Sequence, residues 1–150
     1  MKHLLVISLL FTSALFAGFK VGDTLPIIVL EDQFGKEMKV EKKDTRIIMA
    51  FEKDVSVYIN EFLKTQDGTF LAQHHTKYIS DISTMPSFIT SMFALPKMEK
   101  YPFSLMLIND DFGEQFNKKD KKITVYTVQN YKIKNIQFLD PKTVSSLFEK

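Results

Sequence analysis

The stretch RIIMAFEKDVSVYINEFLKT, residues 46–65, constrains the fold more than any other part of this chain. Residues 46–51 are an almost unbroken apolar run of strand length, the pattern of a strand inside a sheet covered on both faces. After the charged link Glu52-Lys53-Asp54, apolar residues recur at Val55, Ile59, Phe62 and Leu63. That is the period of an amphipathic helix, and Asp54 is a suitable N-cap for it. A buried strand that feeds a helix directly requires a layered α/β architecture.

The flanking segments extend the pattern. Residues 27–30 and 37–40 read as two strands joined by the turn Asp32-Gln33-Phe34-Gly35, a β-hairpin. Asp67-Gly68 ends or kinks the helix. Residues 76–82 are a second single strand, with Tyr78 and Ile82 among its apolar members. Ser83 or Thr84 then caps a helix with Pro86 in its first turn, an apolar stripe of Phe88, Ile89, Met92 and Phe93, and Pro96 as its stop. Residues 103–108 form another buried-type strand, closed by Asn109-Asp110-Asp111, and 113–117 a single helical turn. Residues 123–128 and 131–139 make a second hairpin around Gln129-Asn130. Its return strand changes phase near Asn135, which predicts a bulge: Tyr131 and Ile133 fall on one face, Ile136 and Phe138 on the other. Asp140-Pro141 opens a last helix with Val144, Leu147 and Phe148 on one side. Strands that alternate with helices and finish antiparallel predict a central mixed sheet with helices on both faces and an N-terminal β-hairpin. No repeat or linker divides residues 18–150, which are expected to be one domain.

The N-terminus reads as a processing signal. Met1-Lys2-His3 is a short positive start, residues 4–16 are apolar apart from Ser8, Thr12 and Ser13, and Ala17-Gly18 offers small residues for cleavage. The run is shorter than the roughly 20 residues of a comfortable membrane span. A signal peptide over 1–17 and a periplasmic or secreted protein are the expectation. Leu15 at the −3 position leaves an uncleaved anchor as the alternative. No cysteine follows the run, so no lipoprotein anchor can form there.

The 150 residues contain no cysteine at all. Disulfides and every kind of thiol chemistry are excluded, and apolar burial must hold the fold together. With 45% hydrophobic and 25% charged residues, 14 Phe and no Trp, the core must be built mainly from Phe, Ile, Leu and Met. The net charge is +2, and without residues 1–17 it falls to 19 basic against 18 acidic residues. The densest basic cluster, Lys118-Lys119-Asp120-Lys121-Lys122, has an acid in its middle and reads as a solvated turn rather than a nucleic-acid surface.

The segment FKVGDTLPIIVLEDQFGKEMKV, 19–40, resembles the opening of the peroxiredoxin and TlpA-like branch of the thioredoxin superfamily: a Gly-x-x-x-Pro entry, a strand, an Asp-Gln-x-Gly turn and a return strand. YPFSLMLINDDFGEQF, 101–116, with the hairpin that follows, is similar to the second half of that fold. The layout of residues 76–110 resembles the YtfJ-like periplasmic proteins. The resemblance implies a thioredoxin-like three-layer fold over nearly all of 18–150. It does not carry the activity across. Val55-Ser56-Val57-Tyr58 stand near the positions of the thioredoxin Cys-x-x-Cys, and the peroxiredoxin Thr, Cys and Arg are all unmatched. Ser56 is no substitute, because a hydroxyl is a poor nucleophile without a base, and no histidine is near it in sequence. Lys121-Lys122 stand where the resemblance implies a cis-proline. In a different register, Tyr101-Pro102 is the candidate for it.

Two functional readings follow. In the first, a redox-inactive module binds an envelope protein through the strand-to-helix junction and the loop at 97–102, with Glu52, Asp54, Val55, Ser56, Tyr58, Tyr101 and Pro102 on the contact surface. In the second, Glu52 and Asp54 act with His74 and His75 as an acid/base or metal site, a reading that requires them in one pocket. The adjacent histidines suit a surface pair better than one chelating site. Met85, Met92 and Met98 are too spread for copper, and Asp110-Asp111 lack a regular calcium loop. No metal or cofactor is therefore expected.

Overall fold

A computed structural model describes residues 18–150; the expected processing segment, 1–17, lies outside the described residues. The chain runs β1 (Val29–Asp32), β2 (Glu37–Lys39), β3 (Arg46–Ala50), α1 (Lys53–Lys64), α2 (Phe70–Gln73), β4 (Thr76–Asp81), α3 (Ser87–Ile89), a π-helical turn (Thr90–Ala94), α4 (Leu95–Met98), β5 (Met106–Ile108), a 3-10 helix (Asp111–Gln115), β6 (Ile123–Gln129), β7 (Lys132–Leu139) and a C-terminal 3-10 helix (Pro141–Phe148).

The seven strands among the described residues lie in one sheet, in the order β2-β1-β5-β4-β3-β6-β7. The apolar run at 46–50 becomes β3, parallel to β4 on one side and antiparallel to β6 on the other. Ile47, Ile48, Met49 and Ala50 are sealed from solvent, as a strand covered on both faces must be. β5 continues the parallel set, and β1 closes onto β5 antiparallel, which joins the N-terminal hairpin to the core. In the C-terminal hairpin, Thr127 pairs with Asn135 and Val128 with Ile133, so Lys134 is an extra residue. This is the bulge that the change of phase predicts.

One face of the sheet is covered by α1, α2, the 87–98 helix and the C-terminal 3-10 helix around Ile48, Ile59, Leu63, Leu105 and Val125. The other is covered by the 3-10 helix at 111–115 and the N-terminal segment, around Ile28, Ile47, Met106 and Tyr126. There Asn117 pins the start of the described chain. Its Oδ1 accepts the Phe19 N–H at 2.9 Å, its Nδ2 donates to the Phe19 carbonyl at 3.0 Å, and the Tyr126 hydroxyl donates to Oδ1 at 2.7 Å.

Buried polar groups fix the loops. In the first hairpin turn, Asp32 Oδ1 accepts the N–H groups of Phe34 and Lys36, and Gly35 takes φ +73°, the left-handed conformation this turn needs. Gln33 turns inward, where Nε2 donates to the carbonyls of Phe103 (2.7 Å) and Met98 (3.3 Å) and Oε1 accepts the Leu105 N–H (3.2 Å). The hairpin thereby clasps the loop between α4 and β5.

Several local expectations need correction. The N-cap of α1 is Glu52, and Asp54 is the second residue of the helix, in its first turn, where a carboxylate meets the positive end of the helix dipole. An extra short helix, α2, follows Gly68. The C-terminal helix is 3-10 in type and kinked at Thr143. Pro96 does not stop its helix. Proline lacks the N–H that would bond the carbonyl four residues back, and the chain accommodates it with the π turn just before, where the Leu95 N–H reaches the Thr90 carbonyl. The apolar stripe of that helix is also not core. Phe88, Met92 and Phe93 are 60%, 67% and 63% exposed, while Ala94, Leu95 and Met98 make the packing contact.

Candidate functional site

The parallel strands β3, β4 and β5 end on one side of the sheet, where a crevice is expected in a sheet of this kind. It lies between α1 and the 87–98 helix and has a volume of about 220 Å³. Ser56 and Asn60, one turn apart, face it from α1. Ile89, Phe93 and Lys97 line it from the opposite helix, and Ser80 and Ile82 from the end of β4.

The expected contact residues divide. Glu52, Ser56 and Tyr101 all line the groove. The Glu52 carboxylate accepts the Lys121 N–H at 3.2 Å, across from the turn that precedes β6, and Lys121 holds φ +56° there. Ser56 Oγ donates to the Lys53 carbonyl at 2.8 Å, so its hydroxyl is spent within the helix. Tyr101 stacks on Phe103 at 5.1 Å, with Lys64 Nζ 5.1 Å above its ring, and burial raises its phenol pKa. Tyr58 and Asp54 are exposed on the outer side of α1, Tyr58 with Lys142 Nζ 6.0 Å over its ring. Val55 is instead in the core, 1% exposed, because the third residue of α1 points at the sheet. Pro102 is exposed on the far side of the loop, its carbonyl against Gly68. No peptide bond among the described residues is cis, so Tyr101-Pro102 does not fill the cis-proline position.

The histidines lie elsewhere. His74 and His75 precede β4 at the opposite end of the sheet, where the His75 carbonyl accepts from Thr45 at the start of β3. Five strand residues at about 3.3 Å each place them some 15 Å or more from Glu52 and Asp54. The His74 ring packs on Phe70 (4.3 Å) and Phe148 (5.1 Å), with Nδ1 2.8 Å from the Phe70 carbonyl, while His75 is exposed with φ +47°. The groove thus receives Glu52 without a histidine. Among the described residues no three His, Cys, Asp or Glu side chains are grouped to hold a metal ion. Of the three methionines, Met98 is core, Met92 is exposed, and Met85 lines the groove. Asp110 Oδ1 caps the 3-10 helix by accepting the Phe112 N–H. In the basic cluster, Lys118 and Lys119 lie over Phe51 (4.8 Å) and Phe138 (5.9 Å) around a turn closed by the Lys122 N–H on the Lys119 carbonyl.

The residue that sequence reasoning missed is Asn60. It is only 7% exposed, yet it belongs to the groove wall, and its Oδ1 accepts the Tyr78 hydroxyl at 3.1 Å. Burial pushes the Tyr78 phenol pKa up, so this proton stays in place at ordinary pH. An amide four residues after Ser56, on the flank of an apolar stripe, was the available signal.

No protein-family model matches the chain, and no curated protein matches it in sequence. Solved structures do. Peroxidoxin BcpB from Mycobacterium tuberculosis is 14% identical with a TM-score of 0.55, over 85% of this chain and 92% of that one. The thioredoxin domain of a thiol-disulfide oxidoreductase from Bacteroides vulgatus is 13% identical with a TM-score of 0.51, over 88% and 100%. A thio-disulfide isomerase from Thermus thermophilus is 17% identical with a TM-score of 0.51, over 87% and 96%. At such identities the likeness concerns the fold, and on that ground the chain has a thioredoxin-like α/β fold of the kind found in peroxiredoxin-type and thiol-disulfide proteins, without a cysteine.

Proposed function

We propose that this chain is a redox-inactive thioredoxin-like binding module that works in the cell envelope and takes a protein partner at the groove between α1 and the 87–98 helix. One observation carries the reading. On the helix that walls a groove beyond the ends of the parallel strands, Phe93, which lines the groove, and Phe88 and Met92 beside it stand more than half exposed, although the same helix buries Met98. Large apolar side chains gathered on a surface mark a place where another molecule packs. With no sulfur nucleophile in the sequence, the fold acts through contact rather than thiol exchange. The N-terminal signal pattern and the likeness of 76–110 to YtfJ-like periplasmic proteins support the envelope location.

Placing a photocrosslinking phenylalanine analogue at Phe93 or Tyr58 in living cells tests this. The expected result is one partner, identified by mass spectrometry from both positions and absent from a control at Lys39 on β2. Equal products from all three positions, or none, would overturn it. A mature N-terminus at Gly18 in the envelope fraction checks the location; retention of the chain in the cytoplasm would exclude it.

A further inference from the structure

The first two described residues are built into the folded body. Gly18 holds φ +76°, and a Cβ on it would lie between 2.6 and 2.8 Å from three atoms of the Asn117 side chain, so its main chain rests directly on that amide. The main-chain N–H and carbonyl of Phe19 are both taken by the same amide, at 2.9 and 3.0 Å. The Phe19 ring packs against Phe116 (5.6 Å) and edge-on to Tyr126 (6.4 Å). Asn117 is itself held from several sides. Its N–H donates to the Tyr126 hydroxyl at 2.8 Å, that hydroxyl donates to its Oδ1 at 2.7 Å, and Thr124 Oγ1 donates to its carbonyl at 2.7 Å. Thr124 and Tyr126 belong to β6, which pairs with the central strand β3. Downstream, the N–H groups of Gly22 and Leu25 bond to the carbonyls of Ile133 and Tyr131, so residues 18–25 are tied down at both ends.

This clamp adjoins the bond that the sequence marks for hydrolysis. Ala17-Gly18 is the expected cleavage point, and Gly18 and Phe19 are the two residues just past it. A peptidase takes the residues on both sides of a scissile bond as an extended strand, which requires negative φ and main-chain groups free to pair. In the fold, φ of Gly18 has the opposite sign and the Phe19 groups are spent. The bond is therefore open to a peptidase while the chain is unfolded, or when 18–19 have lifted off Asn117. Leu15 bears on the timing. A small residue is favoured at the −3 position, so leucine there slows hydrolysis within the interval that folding leaves.

We infer that folding and cleavage compete for this chain: molecules cut at Ala17-Gly18 before the domain closes lose residues 1–17, and molecules that fold first have the junction locked on Asn117 and keep them. The reaction is hydrolysis by an envelope signal peptidase. One water is consumed, the Ala17–Gly18 C–N bond breaks, Ala17 leaves as a carboxylate and Gly18 keeps an ammonium group. This rests on the reading of the chain as an exported protein and adds the condition under which its leader is lost.

The test presents the full chain to purified signal peptidase in detergent micelles in two states, newly synthesised in a cell-free system and folded beforehand. The new chain should be cut before Gly18, and the folded chain about tenfold more slowly or less. Gly18→Ala, whose Cβ has no room against Asn117, and Asn117→Ala, which removes the clamp, should each speed cleavage of the folded chain. Hydrogen exchange at the Phe19 amide should quicken in both variants while the Ile48 amide stays protected; if Asn117→Ala loses the fold as a whole, Gly18→Ala decides. In pulse-labelled cells both forms should persist, and Leu15→Ala should shift the pool toward the shorter one. Folded variants cut no faster than the native chain, an unchanged Phe19 amide, or a pool indifferent to Leu15→Ala would overturn the inference. A folded chain cut as readily as a new one would sink it and leave the signal reading standing. A new chain left uncut before Gly18 would sink both.

Discussion

Helix α1 and the 87–98 helix carry similar apolar patterns and meet opposite fates. In α1, Val55, Ile59 and Leu63 are all but completely buried against the sheet. In the other, the residues at equivalent spacing, Phe88 and Met92, face outward, and only the last turn, through Leu95 and Met98, is anchored. A period of 3.6 identifies an apolar face without saying what covers it. In α1 the cover is the sheet; for the second helix the proposed function assigns it to a partner.

The contrast can be broken by mutation. Ile59→Ala should cost about 2–5 kcal/mol of unfolding free energy, read from denaturant midpoints, because it leaves a cavity in the first core. A loss under about 1 kcal/mol would mean that α1 is as loosely held as its neighbour. Gln33→Leu should cost about 1–3 kcal/mol by stranding the buried carbonyl of Phe103 and the N–H of Leu105. Amide hydrogen exchange should quicken most between Met98 and Leu105, the segment that seats the second helix.

Tyr126→Phe probes the opposite face and should cost about 1 kcal/mol at neutral pH, since both hydrogen bonds to Asn117 go. The Tyr126 phenol is pushed up to about 12 by burial, against the opposing effect of the Asn117 N–H. Its folded value therefore exceeds the unfolded value of about 10. That contribution is complete below pH 10 and is lost as pH rises through 12, so the gap between native protein and variant should shrink over that window. A constant gap would show that the phenol ionises alike in both states. The smallest effect belongs to the exposed stripe. Phe88→Ser with Met92→Ser should change stability by about 0.5 kcal/mol or less, while removing the crosslink from position 93. A large loss of stability would place those side chains in the core after all.

The sequence makes the sheet legible and the site only partly so. The run at 46–50 could lie only at the centre, and the change of phase near Asn135 marks the bulge, because both are properties of neighbouring residues. Gln33 and Asn60 act through partners 18 to 72 residues away, so no local pattern could assign them. Of the residues expected on a contact surface, Glu52, Ser56 and Tyr101 line the groove and Val55 lies in the core, since the register of α1 against the sheet decides which side faces in. The stripe at 88–93 failed as a core element for a similar reason. Proline near the end of the helix induced a π turn, and that turn rotates the preceding residues relative to the anchored end.

The extra residue in β7 also bears on solubility. β7 is one of the two outermost strands of the sheet, and an outermost strand with regular pairing is a template for another chain. Residues 22–25 cover that border where the chain enters the strand, through Gly22 N–H to the Ile133 carbonyl (2.8 Å), Ile133 N–H to the Asp23 carbonyl (2.9 Å) and Leu25 N–H to the Tyr131 carbonyl (2.8 Å), and beyond it Lys134 interrupts the ladder, so an approaching strand finds no continuous row of free amides.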